Sequence, residues 1–228
     1  MRWFSSIQTV ALAACIARTL TGQGCRPTSG PVLTHRIQHF VASEERRLSA
    51  LVRLGRENGL CFGVETVTDN FNEKITLRLT DTDAQNAINA VLGSSREYEI
   101  SVLHNVILIR DKRVQPPGYL ALRLPRFRIP RSTLVWANLS LWMSVEMHLD
   151  PSRKGFAGDS PPGDATDQVG PFDITRQRAR GLLCRIVGNS KGATWMVSSP
   201  IVPAVAPAST NSLWTLVLYR NLPERFPD

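Results

Sequence analysis

The sequence holds little of what metal and nucleophile sites are built from: four cysteines and four histidines in 228 residues. No two cysteines stand in a C-x-x-C spacing, which excludes the usual zinc and dithiol arrangements. His35, His39 and His104 are scattered and belong to no H-E-x-x-H run, so a zinc-protease helix is excluded as well. Asp159, Asp164 and Asp167 lack the spacing and the glycine of a calcium-binding hand. Long apolar runs are also scarce. The candidate within Met1–Ala17 is too short, and too interrupted by Ser and Gln, to make a comfortable membrane span. Glu146, His148 and Asp150 are two apart, which on a helix turns neighbouring side chains about 200° from each other. They form no common site unless the helix has already ended. One nucleophile pattern does occur, since Gly188-Asn-Ser190-Lys-Gly192 fits G-x-S-x-G. There a helix comes first and a strand second, the reverse of the strand-to-helix elbow that projects a reactive serine. The expectation is a non-enzymatic protein with no catalytic residue, metal or cofactor. A hydrolase assembled from residues distant in sequence stands as an alternative.

What the sequence does have is clear periodicity. Ile75, Leu77 and Leu79 alternate with Thr76, Arg78 and Thr80, the period of a strand with one buried face. At Asp81 the period changes. Thr82 and Gln85 predict a capping box, and Ala84, Ala87, Ile88, Val91 and Leu92 predict one apolar helix stripe closed by Gly93. Tyr98–Val102 and Val106–Ile109 then read as two strands around a turn at His104–Asn105. Upstream, Ser43 is expected to cap a helix whose Leu48, Leu51, Val52 and Gly55 share a face and which ends at Asn58–Gly59. Leu60–Val64 follows as a short strand.

The second half repeats this order. Phe127-x-Ile129-Pro130 reads as a strand ending just before a helix capped by Ser132 or Thr133, with Leu134, Asn138, Leu141, Trp142, Val145 and Leu149 roughly on one side. Phe172-Asp-Ile174-Thr175 matches Leu77-Arg-Leu79-Thr80 at an offset of 95 residues. At the same offset Ala179, Leu182, Leu183, Ile186, Val187 and Gly188 fall on Ala84, Ala87, Ile88, Val91, Leu92 and Gly93. A matching stripe and terminal glycine point to an internal duplication. Ala193–Ser198 and Leu213–Tyr219 are the expected closing strands, separated by a Pro- and Ala-rich loop, Pro200–Thr210. Asp150–Gln168 is a second insertion, rich in Gly, Pro and Asp, with room for a short strand at Gly155–Gly158.

The fold class expected is therefore α+β: two tandem βαββαβ-type domains, each a short sheet packed by two helices. Leu48-x-x-Leu51, Arg56-Glu57-Asn58-Gly59-Leu60, Ile75-Thr-Leu77-x-Leu79-x-Asp81, Ala87-Ile88-x-x-Val91-Leu92 and Val106-Ile-Leu-Ile-Arg110 together resemble the secretin and TonB short N-terminal domain. The resemblance covers residues 36–111, with a degenerate second copy over 119–228. It implies a periplasmic domain that contacts other envelope proteins. In that family it precedes an outer-membrane channel or receptor, and no such segment is expected before Asp228.

Around these domains, residues 1–24 read as an export signal, 25–35 as a tether and 112–118, with two prolines and a glycine, as a linker. Leu12-Ala13-Ala14-Cys15 has the form of a lipobox, which would lipidate Cys15 and hold the protein to a membrane. Ordinary cleavage between Ala14 and Gly24 also fits, as does a wrongly assigned start. Cys61 and Cys184 read as small buried hydrophobes. An oxidising compartment would allow them to pair, although nothing indicates it.

Charge divides the halves. Residues 43–111 carry 8 basic against 11 acidic side chains, whereas residues 112–228 carry 15 against 8. Arg126, Arg128, Arg131, Arg176 and Arg180 are the residues expected to meet an anionic partner. Export argues against nucleic acid. Cell-wall polymer, anionic lipid or an acidic protein face suits that compartment, and a merely solvated face is the plain alternative.

Overall fold

The structure, a computed structural model, describes residues 32–67, 71–93, 97–113, 118–149, 168–190, 192–199 and 215–219. The first half runs β1 (Arg36–Arg46), α1 (Arg47–Asn58), β2 (Cys61–Val67), β3 (Lys74–Asp83), α2 (Ala84–Leu92), β4 (Tyr98–Leu103) and β5 (Val106–Asp111). After a short helix α3 (Gly118–Ala121), the second runs β6 (Arg123–Ile129), β7 (Ser132–Thr133), α4 (Leu134–Leu149), β8 (Gln168–Val169), β9 (Phe172–Arg178), α5 (Ala179–Gly188), β10 (Thr194–Ser199) and β11 (Thr215–Tyr219). The fold is α+β.

Each half opens with an antiparallel two-stranded ribbon, and the two ribbons match pair for pair. In β1–β3 the partners include Arg36↔Asp83, Ile37↔Thr82, His39↔Thr80 and Phe40↔Leu79. In β6–β9 they include Arg123↔Arg178, Leu124↔Gln177, Arg126↔Thr175 and Phe127↔Ile174. Both skip one pair at the same place, and the skipped residues Asp81 (φ 48°) and Arg176 (φ 52°) both adopt the left-handed conformation. Such conformations are uncommon outside glycine, so their recurrence at an offset of 95 residues is an independent match between the halves. The following helices start at equivalent residues, Ala84 and Ala179, and bury the five stripe positions of each.

The sheet is where the halves depart from two separate cores. Its order is β11-β10-β2-β5-β4. Strand β2 pairs in parallel with β5 of its own half and with β10 of the other. The expectation of one small sheet per domain is thus corrected: residues 112–118 separate the halves in sequence, but β2 belongs to both. The apolar run Cys61-Phe-Gly-Val64 has no alternation because both faces of the strand are covered. Phe62 and Val64 join the core of α1, α2 and the first ribbon, whereas Cys61 joins that of α4, α5 and the second. Gly63 faces Trp195 of β10, whose ring carbons would lie 2.5 Å from any β-carbon placed there. Only glycine leaves room for that indole between the strands.

Several local expectations are replaced. Helix α2 is capped by Asp83, whose carboxylate accepts from the Asn86 amide at 2.7 Å, and not by a Thr82–Gln85 box. Ser43 lies inside β1, which runs to Arg46, so α1 begins later than expected. Gly59 and Gly93 end their helices in the left-handed conformation, but Gly188 is the last helical residue of α5 and Asn189 follows it in a right-handed one. Residues 32–35 are no free tether: Val32–Thr34 form a 3₁₀ turn, with Val32 and Leu33 packed on the first core. Thr133 caps α4, accepting from the Trp136 amide at 3.2 Å. Leu149 is exposed rather than on the buried side of α4. Residues 1–31, the Gly155–Gly158 strand and the Pro200–Thr210 loop lie outside the described residues.

Candidate partner surfaces

The five arginines expected to form an anionic-partner surface do not act as one group. Arg180, on α5, is turned inward. Its guanidinium donates two hydrogen bonds to the Glu65 carboxylate, at 2.6 and 2.9 Å. With side-chain exposures of 19% and 3%, this pair is a buried brace between α5 and β2, and Arg180 leaves the candidate surface. Arg126 is exposed but committed, forking onto Asp173 at 2.7 and 2.5 Å. Its guanidinium holds the Asp173 carboxyl below the ordinary aspartate range. Arg128 lies 3.9 Å from the same carboxylate. Arg131 is exposed between β6 and α4, and Arg176 is exposed at the ribbon irregularity.

The register brings two further arginines into play, Arg123 and Arg178. They are direct cross-strand partners and both are exposed. In the first half the equivalent residues are Arg36 and Asp83, and Asp81 stands where Arg176 does. There Arg36 donates to the Asp81 carbonyl at 3.0 Å and pairs with its carboxylate at 2.5 Å. In the second half both acids have become arginine. Among the described residues no carboxylate pairs with Arg123, Arg176 or Arg178. Single-sequence reading missed this because a charge tally carries no register. The ribbon match, once aligned, would have exposed it.

A second surface lies on α4. Its inner side, Leu134, Ala137, Leu141 and Val145, packs on the ribbon and α5. Its outer side leaves Trp136, Met143 and Met147 at 53%, 41% and 58% exposure. These fall at i, i+7 and i+11, one stripe of a helix. Both first strands and first helices align at an offset of 87 residues, so Trp136 and Met143 stand where α1 has Ser49 and Arg56. The buried Ala50 and Leu54 likewise stand where α4 has Ala137 and Leu141. The outward face of one helix is polar and that of its counterpart is apolar. Gly55 of α1 lets the Phe62 ring approach to within 2.7 Å of a β-carbon position, whereas α4 carries Trp142 at that point.

Other candidates give no reactive geometry. Ser190 is buried in the turn after α5, its amide donating to the Val187 carbonyl at 2.8 Å, so the helix-before-strand order of the G-x-S-x-G stretch holds. Cys184 is a free thiol, not paired with Cys61, and burial pushes it up to about 12. Cys61, expected as a plain buried hydrophobe, is instead disulfide-bonded, and its sulfur rests 3.0 Å from the Ser190 carbonyl oxygen. His104, in the β4–β5 turn, has its Nε2 2.9 Å from the Gln177 side-chain amide nitrogen. Desolvation, then Arg185, lowers its pKa. Among the described residues no three metal-ligating side chains cluster, and no helix is long and apolar enough to cross a membrane. Cys15 lies outside the described residues. Comparison of the chain with family models, with curated proteins and with solved structures finds no match.

Proposed function

We propose that the chain is a non-enzymatic protein–protein interaction module of the cell envelope. The observation that carries the reading is the outer stripe of α4, an apolar face rimmed by Ser140, Ser144 and His148 on a helix whose counterpart is polar there. Contiguous exposed apolar surface of this kind marks interaction sites, and methionine adapts readily to a partner's shape. A protein suits the stripe better than an anionic membrane. The arginines of β6 lie on the far side of the ribbon from α4, because Leu124, Phe127 and Ile129 fill the space between. A bilayer meeting α4 would therefore not meet these arginines.

The envelope location is supported by the apolar, weakly basic N-terminal run and by the resemblance of residues 36–111 to the short N-terminal domain of secretins and TonB-dependent receptors. Fractionation with mass spectrometry tests it. The expected product is a mature chain outside the cytosol that has lost at least the residues before Cys15. Full-length chain in the cytosol would overturn it. Cys15→Ser separates the two processing routes, releasing the protein from membranes only if that cysteine is lipidated.

A further inference from the structure

We propose that Arg123, Arg176 and Arg178, at the end of the β6–β9 ribbon, dock a carboxylate-rich segment of a partner protein. The proposal rests on the reading of the chain as a protein-interaction module and specifies a second contact, distinct from α4. Directly opposed like charges destabilise an antiparallel pair, and the Arg123↔Arg178 register holds two guanidinium groups in that relation. The same scaffold in the first half avoids the conflict with Asp81 and Asp83 around Arg36. Among the described residues, the second half thus retains an arrangement that costs stability and lacks the carboxylates that would relieve it. Carboxylates supplied by another chain would restore the pairing.

The chemistry of the face narrows the ligand further. Arg126 forking onto Asp173 shows that a guanidinium on this ribbon reaches a carboxylate in the two-bond geometry arginine favours. Beside the arginines, the exposed ribbon residues are Pro125, Asp173 and Thr175. Among these described ribbon residues no exposed aromatic ring is there to stack on nucleic-acid bases, and no exposed large apolar side chain to enter a lipid surface.

The test uses the purified full chain and a fluorescent peptide of alternating Glu and Ser, read by anisotropy at low and physiological salt. A Gln–Ser peptide and vesicles containing phosphatidylglycerol serve as comparisons. Arg176→Asp combined with Arg178→Asp installs the first-half residues. It should raise the thermal unfolding midpoint and weaken Glu–Ser binding about tenfold or more. Binding lost by a protein that has become more stable cannot be ascribed to misfolding. Lys74→Asp with Arg78→Asp makes the same change of net charge on the first ribbon, and should leave binding within about twofold. The proposal is overturned if wild type ignores the Glu–Ser peptide, if the first double variant binds it as wild type does, or if both double variants lose binding equally. Retention on vesicles without peptide binding would also overturn it, assigning the face to lipid phosphate. Its failure leaves partner contacts at α4 untouched, and these are measured separately.

Discussion

The Arg180 guanidinium sits 2.6 Å from the Glu65 carboxylate, tying the second helix of the second half to the strand that both halves share. Removing one member of a buried pair leaves the other charged and unsolvated, at a cost of about 3 kcal/mol. Arg180→Met should therefore lower unfolding free energy by about that amount in chemical denaturation. Adding Glu65→Gln should recover much of it. Equal effects of the single and double variants would show that the pair does not brace the halves.

Gly63 gives a second test of the shared sheet. A methyl at this position would sit 2.5 Å from the Trp195 ring, in a strand buried on both faces. Gly63→Ala is expected to cost about 1–3 kcal/mol and to change the near-ultraviolet circular dichroism of the indole. A variant as stable as wild type would mean that β2 and β10 do not approach as described.

Much of each half was legible in sequence, and the join between them was not. The α2 and α5 stripes, the strand at Ile75–Leu79 and the turn at His104–Asn105 all arise from local periodicity or backbone demands. Both turn residues adopt left-handed φ, 51° and 63°, as a two-residue hairpin asks. The pairing of β2 with β10 is different in kind. An apolar run reports burial on both faces but names no partner, and Cys61 and Thr194 are far apart in sequence. Arg180 was misread for the same reason. A basic residue on a helix looks solvent-facing until the buried Glu65 from the other half is placed beside it. Trp136 and Met143 stayed unremarked because α4 is apolar nearly all round, so its sequence does not say which side is covered.

The hairpin supplies a pH dependence. The His104 pKa is lowered from its ordinary 6.5, so the unfolded chain takes up a proton more readily than the folded one. The resulting stabilisation is complete above about pH 6.5 and is lost as pH falls through the unfolded and then the folded value. Unfolding free energy should therefore decline more steeply as pH falls below about 6.5 in wild type than in His104→Gln. Parallel curves would show that burial and the neighbouring Arg185 do not disfavour the charged imidazole.

The outward face of α4 should be dispensable for folding. Trp136→Ser with Met143→Arg copies the residues of α1, and surface changes of this kind usually stay within about 0.5 kcal/mol. Unchanged stability with less self-adhesion at high concentration is the expected outcome. A large loss of stability would mean that the stripe belongs to the core.

Whether α4 meets a protein partner is read out by position-specific photocrosslinking in living cells. A photoreactive phenylalanine analogue would replace Trp136, Met143 and Met147 in turn, with Arg56 on α1 as the equivalent outward position of the first half. Discrete protein adducts of one size are expected from the three α4 positions and none from Arg56. Adducts of the same size and yield from Arg56, or none from any α4 position, would contradict that contact.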